Sequence, residues 1–214
     1  MDVKSKTAIK ICGLTKVDEA AFLNENAVDY AGFVLFYPKS KRCIDIEQAR
    51  LIMDRLDPGI KKVAVMVSPE LHQVRQAEAA GFDYVQIHGG LKAEILDETD
   101  IPVIKAFNVS DLDELDKYVE NDRVHAFVFD SAVPGSGKSF DWALTQKLET
   151  KNKPVLLAGG LSPENVAEAI RLIHPYGVDV SSAVEGENGK DEAKVGAFVQ
   201  AVRNVDGGNL FAGK

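Results

Sequence analysis

Cysteine is nearly absent: the 214 residues hold two, Cys12 and Cys43. Two cannot build a disulfide framework, and neither stands at a metal-ligand spacing. They point to a reducing, cytoplasmic setting. Histidine is sparse and scattered: His72, His88, His125 and His174 leave no two at helical spacing. No metal and no organic cofactor are expected. No run approaches the roughly 18 apolar residues of a membrane span, and residues 1–6 lack the apolar core of a signal peptide. An excess of positive charge is missing too. Lys plus Arg is 25 against 33 for Asp plus Glu, a net charge of −8. That argues against a broad nucleic-acid face while leaving room for a small anion site.

What is present is a rhythm. Short apolar runs recur at 7–12, 30–36, 62–67, 84–87, 103–107, 126–130, 154–158 and 178–181. Most lack strict polar alternation, as strands buried on both faces do. Helix-length segments separate them. Thr15 precedes one over 16–26, and Asp45 precedes another with Gln48 at the capping-box position. Ser68-Pro69 opens a third that Gly81 closes. Ser110 and Ser162-Pro163 repeat that opening, and a last helix is expected over 192–202. Strict β-α alternation implies a parallel sheet. Eight units without a break favour an α/β fold of one closed (β/α)8 TIM barrel over residues 1–205. The Gly-rich stretch 206–214 reads as a frayed tail.

A barrel of this kind carries its active site at the C-terminal ends of its strands. Gly159-Gly160 follows the seventh strand and Ser181-Ser182 the eighth. Backbone amides and hydroxyls there suit a phosphate, so an acidic protein can hold an anion with dipoles rather than a basic face. Cys12 stands at the rim of the first strand. Asp130 ends the sixth after four apolar residues, a costly place for a carboxylate without a role. Arg42, in the cluster Lys39, Lys41, Arg42, is suited to grip a carboxylate in bidentate fashion. Residues 132–139 satisfy a relaxed nucleotide-loop pattern with Ala in place of the first Gly. The helix they should open starts too late, with Asp141 as its cap, so that reading is set aside.

The rim residues carry a family resemblance. Lys10-Ile11-Cys12-Gly13-Leu14-Thr15, Phe36-Tyr37-Pro38-Lys39-Ser40-Lys41-Arg42 and Gln86-Ile87-His88-Gly89 stand in order. Phe129-Asp130-Ser131, Gly135-Ser136-Gly137-Lys138-Ser139-Phe140-Asp141-Trp142 and Leu157-Ala158-Gly159-Gly160-Leu161 follow, and Asp179-Val180-Ser181-Ser182-Ala183-Val184-Glu185 ends the series. Together they resemble phosphoribosylanthranilate isomerase of tryptophan biosynthesis over about residues 8–203. Three departures stand out. Lys41 takes the place of a Pro, the loop after the sixth strand is short, and Ala183 replaces a Gly. The last would crowd a close phosphate approach and moves that role onto Ser181 and Ser182.

The resemblance implies an Amadori rearrangement of a small phosphorylated substrate, with Asp130 as acid and Cys12 as base. Asp130 should be raised by desolvation and Cys12 lowered by local amide dipoles. Arg42 should bind the anthranilate carboxylate, and His88 and Asp179 should contact substrate. A monomer or homodimer is expected, with neither nucleic acid nor membrane as partner. Two rivals remain open: a sugar-phosphate isomerase of histidine biosynthesis, which uses a pair of Asp, and a non-catalytic phospho-metabolite-binding barrel.

Overall fold

The computed structural model describes residues 6–130 and 149–208. Ser131, the 132–139 loop, Asp141, Trp142 and the end of the expected tail lie outside the described residues. In chain order the strands are β1 (Ala8–Cys12), β2 (Tyr30–Leu35), the two-residue β3 (Cys43–Ile44), β4 (Lys61–Val67), β5 (Tyr84–His88) and β6 (Val103–Asn108). They continue with β7 (Val124–Asp130), β8 (Val155–Ala158), β9 (Gly177–Val180) and a short hairpin, β10 (Glu185–Gly186) with β11 (Gly189–Lys190). The helices are α1 (Glu19–Glu25), α2 (Ile46–Met53), α3 (Leu71–Ala80), α4 (Ala93–Glu98), α5 (Asp116–Val119), α6 (Val166–Ile173) and α7 (Glu192–Gly208).

Around the sheet the order is β1, β9, β8, β7, β6, β5, β4, β2, and β2 pairs back to β1. Every one of these pairings is parallel. The eight-stranded barrel is therefore closed, and no long strand keeps an unpaired edge.

Strand periodicity explains why the runs look apolar throughout. Ile9, Ile11, Phe33, Met66, Ile87, Phe127 and Val178 belong to the larger core, packed with helix residues such as Leu23, Ile52, Val74 and Phe198. The alternate residues Val63, Val65, Ile104, Ala106, Val128 and Leu156 form a smaller, separate core inside the barrel. Strands β4, β6, β7 and β8 serve both cores, so their two faces are both largely apolar, while Lys10, Gln86 and Asp179 are buried polar exceptions on β1, β5 and β9.

Tyrosines close the floor of the barrel at its N-terminal end. The Tyr30 and Tyr84 rings meet edge to face at 6.1 Å, and Tyr30 and Tyr176 share a hydroxyl hydrogen bond of 3.1 Å.

Several boundaries differ from expectation. Asp45 caps α2 as expected, its Oδ1 accepting from Gln48 N at 2.7 Å. Gly81 closes α3 at φ 91°. Ser68, however, does not cap α3. Glu70 does, with its N–H donating to Gln73 Oε1 at 2.9 Å. The Ser68 hydroxyl instead accepts from Gly90 N at 2.9 Å and ties two rim loops together. Asn165, not Ser162, stands before α6. Helix α1 begins at Glu19, because the Glu19 carboxylate accepts from the N–H of Thr15 and Lys16 and holds 15–18 as a turn. Helix α7 runs to Gly208 and carries the expected tail boundary inside it. Asp206 is fixed there: its Oδ1 accepts from the Thr7 hydroxyl at 2.8 Å, and Arg203 donates to Thr7 O at 2.6 Å. Among the described residues no helix is long and apolar enough to cross a membrane.

Candidate active site

Strand ends deliver the polar groups. Cys12 is the last residue of β1, His88 of β5 and Asp130 of β7, while Asp179 sits one residue before the end of β9. Arg42 arrives on the loop after β2. All nine residues expected from the sequence line a single cavity of about 380 Å³: Cys12, Arg42, His88, Asp130, Gly159, Gly160, Asp179, Ser181 and Ser182. That volume suits a small ligand.

Rim order sets what a ligand meets. From Cys12 on β1 the barrel passes β9 and β8 before Asp130 on β7. The loops carrying Ser181-Ser182 and Gly159-Gly160 therefore stand between the thiol and the carboxylate. Gly159 and Gly160 have φ of 83° and 67°, left-handed values that favour glycine. Ser181 Oγ donates to the Cys12 carbonyl at 2.8 Å, which ties this loop to the end of β1.

Behind Cys12 lies a buried ion pair. Lys10 and Asp179 are register partners on β1 and β9, with Nζ 2.8 Å from Oδ2. Burial works against the Lys10 ammonium, but Asp179, which accepts its hydrogen bond, and the nearby Cys12 side chain carry its pKa above the ordinary value. Burial pushes Asp179 up, against the pull of Lys10.

Burial also pushes the Cys12 thiol up, opposed by Lys10 and Lys190. This reverses the expected lowering. Removing water from a strand end costs a thiolate more than the neighbouring charges return.

His88 is pushed down to about 4, first by burial and then by Lys10 and Lys105. It is neutral at pH 7. The Gln86 amide Nε2 lies 2.8 Å from His88 Nε2 and donates to it, which puts the ring proton on Nδ1. Two buried acceptors, Gln86 Oε1 and Asp179 Oδ1, find no protein partner among the described residues. Both residues line the cavity, so a ligand donor is the natural complement.

A second polar cluster holds Arg42. Its Nε donates to Glu185, whose carboxylate also meets Lys41 at 2.8 Å and Lys190 at 3.1 Å. Burial opposes ionisation of Glu185, yet these three cations hold it down to about 2. The Arg42 stem crosses Gly13, where a Cβ would come within 2.5 Å of Arg42 Cδ. Only glycine leaves that path open.

The family model for N-(5'phosphoribosyl)anthranilate (PRA) isomerase matches residues 9–201. The chain belongs to that family. It is 40% identical over 203 residues to the PRA isomerase of a Thermoanaerobacter species, covering 92% of this chain and 98% of that protein. The crystal structure of the Thermotoga maritima enzyme superposes with a TM-score of 0.82 at 36% identity, covering 92% of this chain and 99% of that one. Another solved PRA isomerase holds reduced 1-(o-carboxyphenylamino)-1-deoxyribulose 5-phosphate. It matches with a TM-score of 0.79 at 34% identity over 92% of this chain and 99% of that one.

Four polar residues of this PRA isomerase fold escape reading by strand ends: Lys10, Gln86, Glu185 and Lys190. One signal was available. A lysine between Ile9 and Ile11 in a strand buried on both faces needs a partner. That the partner is 169 residues away is not written in the sequence.

Proposed function

We propose that this chain catalyses the Amadori rearrangement of N-(5-phosphoribosyl)anthranilate to 1-(2-carboxyphenylamino)-1-deoxyribulose 5-phosphate in tryptophan biosynthesis. The observation that carries the reading is the placing of Cys12 and Asp130 on one cavity, with the Gly159 and Ser181 loops between them. An aldose-ketose isomerase needs an acid and a base on either side of one sugar, and a fixed phosphate to set the sugar between them.

Asp130 gives its proton to the furanose oxygen. The bond from that oxygen to C1′ breaks, and the anilino nitrogen supplies the pair that forms the Schiff base. Cys12 in its thiolate form, which Lys10 and Lys190 favour against burial, then takes the C2′ proton; the C2′–H pair makes the C1′–C2′ double bond of the enolamine and the C1′=N pair returns to nitrogen. Tautomerisation places a proton on C1′ and removes one from the C2′ hydroxyl, leaving the ketone. The substrate nitrogen supplies the pair that opens the ring and, as the Schiff base, is the electron sink for removal of the C2′ proton.

Phosphate falls to the backbone amides around Gly159, Gly160 and Ser182, because the Ser181 hydroxyl proton is directed at Cys12 O. Arg42, with Nε on Glu185, offers its Nη1–Nη2 edge to the anthranilate carboxylate. Gln86 Oε1 and Asp179 Oδ1 accept from sugar hydroxyls or the anilino N–H, and His88 holds Gln86. The free cysteines fit a cytoplasmic enzyme, working as a monomer or homodimer.

The test is loss of substrate fluorescence with purified protein. Turnover supports the reading. An inactive protein that binds a phosphorylated product analogue would instead be a binding barrel.

A further inference from the structure

Lys10 has no place in the acid–base scheme above, yet its charge is fully enclosed, with no exposed side-chain surface. It stands two residues before Cys12 on β1, and alternation puts both side chains on the inner face of the barrel. Across from them on β2, in register with Cys12, is Gly32. A Cβ there would come within 2.9 Å of Cys12 Sγ and 3.1 Å of Lys10 Nζ. The sulfur and the ammonium therefore converge on one space that the missing side chain provides. On its other side Lys10 is anchored at 2.8 Å by Asp179 on the opposite neighbour, β9.

We propose that Lys10 is a positioning residue that holds the Cys12 thiolate in place and supplies its counter-charge, with Asp179 keeping the ammonium pointed at the sulfur. The inference deepens the acid–base reading and rests on it for its meaning in catalysis. A thiolate at this half-buried strand end has lost part of its water shell, and a fixed cation beside it offsets that loss. Among the described residues, three charged groups act on Cys12. Lys10 shares its strand, Asp179 faces it from β9, and Lys190 from β11 adds a second, more distant cation. Asp130 on β7 acts on Asp179, and His88 across the cavity is neutral at pH 7. Among the described residues, Lys10 is the cation that shares the space beside Gly32 with the sulfur and is locked by Asp179. When the C2′ proton reaches sulfur, Lys10 stays protonated and its charge is taken up by Asp179, so no proton is stranded.

Alkylation of Cys12 across pH, followed on its own peptide by mass spectrometry, tests this without reference to turnover. Lys10→Gln keeps a donor for Asp179 and removes the charge. Its alkylation midpoint should rise by about one pH unit or more, the usual effect of a removed counter-charge at this range. The acid limb of kcat/KM should move up with it. Asp179→Asn is the second arm and does not need the Lys10 variant to fold. It removes the competing anion, and the Cys12 midpoint should fall. An unchanged midpoint in either folded variant overturns the proposal. Retained turnover in Cys12→Ser would sink the assignment of the base but leave these midpoints unaffected, so the two failures are told apart.

Discussion

Gly32 stands in register with Cys12 on the adjoining strand, so close that a methyl group built on it would lie 2.9 Å from the sulfur and 3.1 Å from the Cys12 Cα. No methyl fits there unless the end of β1 moves. Gly32→Ala should lower kcat by about 10- to 100-fold, the effect of an ångström-scale displacement of a reacting group. Overpacking should cost roughly 1–3 kcal/mol of stability. Steady-state kinetics and urea melts check both, and wild-type kcat would show that the strand end is softer than argued.

Removal of the acid or the base should be far more damaging to rate than to fold. Cys12→Ser and Asp130→Asn should each reduce turnover by at least about 10²-fold. Their melting temperatures should stay within a few degrees of the parent. Near-normal turnover in either variant removes that residue from its role.

Arg42→Gln should act mainly on binding. Loss of a charge-assisted contact to a carboxylate is expected to raise KM by about tenfold or more, with a smaller change in kcat. A fall in kcat at constant KM would place the guanidinium on the transition state instead.

Two groups divide the acid side of the stability curve. His88 is held at about 4, below its ordinary 6.5. Its contribution is present above 6.5 and is lost as pH falls through 4, because the unfolded chain takes up its proton first. Glu185 is held at about 2, below its ordinary 4.5, so its contribution is lost between those values. His88→Gln should therefore flatten the decline of stability in the upper window alone, and Glu185→Gln in the lower alone. Urea midpoints at pH 7, 5 and 3 decide it. Parallel curves for a variant and the parent would refute the assignment of that window.

Asp206→Ala should cost about 1–2 kcal/mol, the worth of a hydrogen-bonded charge at a partly buried site, and leave kcat alone. A loss of kcat without loss of stability would overturn that separation.

Much of the barrel and its mouth is legible in the sequence, and the reasons are physical. Runs such as Val124–Asp130 are apolar on both faces because each face meets a different core, and that marked the strands. The strand-end rule then gathered Cys12, His88, Asp130 and Asp179 at one mouth. Helix starts were less readable. Ser68-Pro69 has the composition of a cap, but Glu70 has the geometry, since Ser68 sits at φ 45° and turns its hydroxyl to another loop. Charge pairing was the least readable. Lys10 with Asp179, and Glu185 with Arg42, Lys41 and Lys190, join residues distant along the chain. The direction of the Cys12 shift is set by burial together with Asp179 and Lys190 as well as Lys10, and of these the motif Lys10-Ile11-Cys12-Gly13 states only the last.

The clasp of Thr7 to Arg203 and Asp206 brings the two ends of the described chain together beneath the floor of the barrel, opposite the mouth. A short peptide could join them, and the ring so formed could be opened in any rim-distant loop to give a permuted enzyme with the same eight staves.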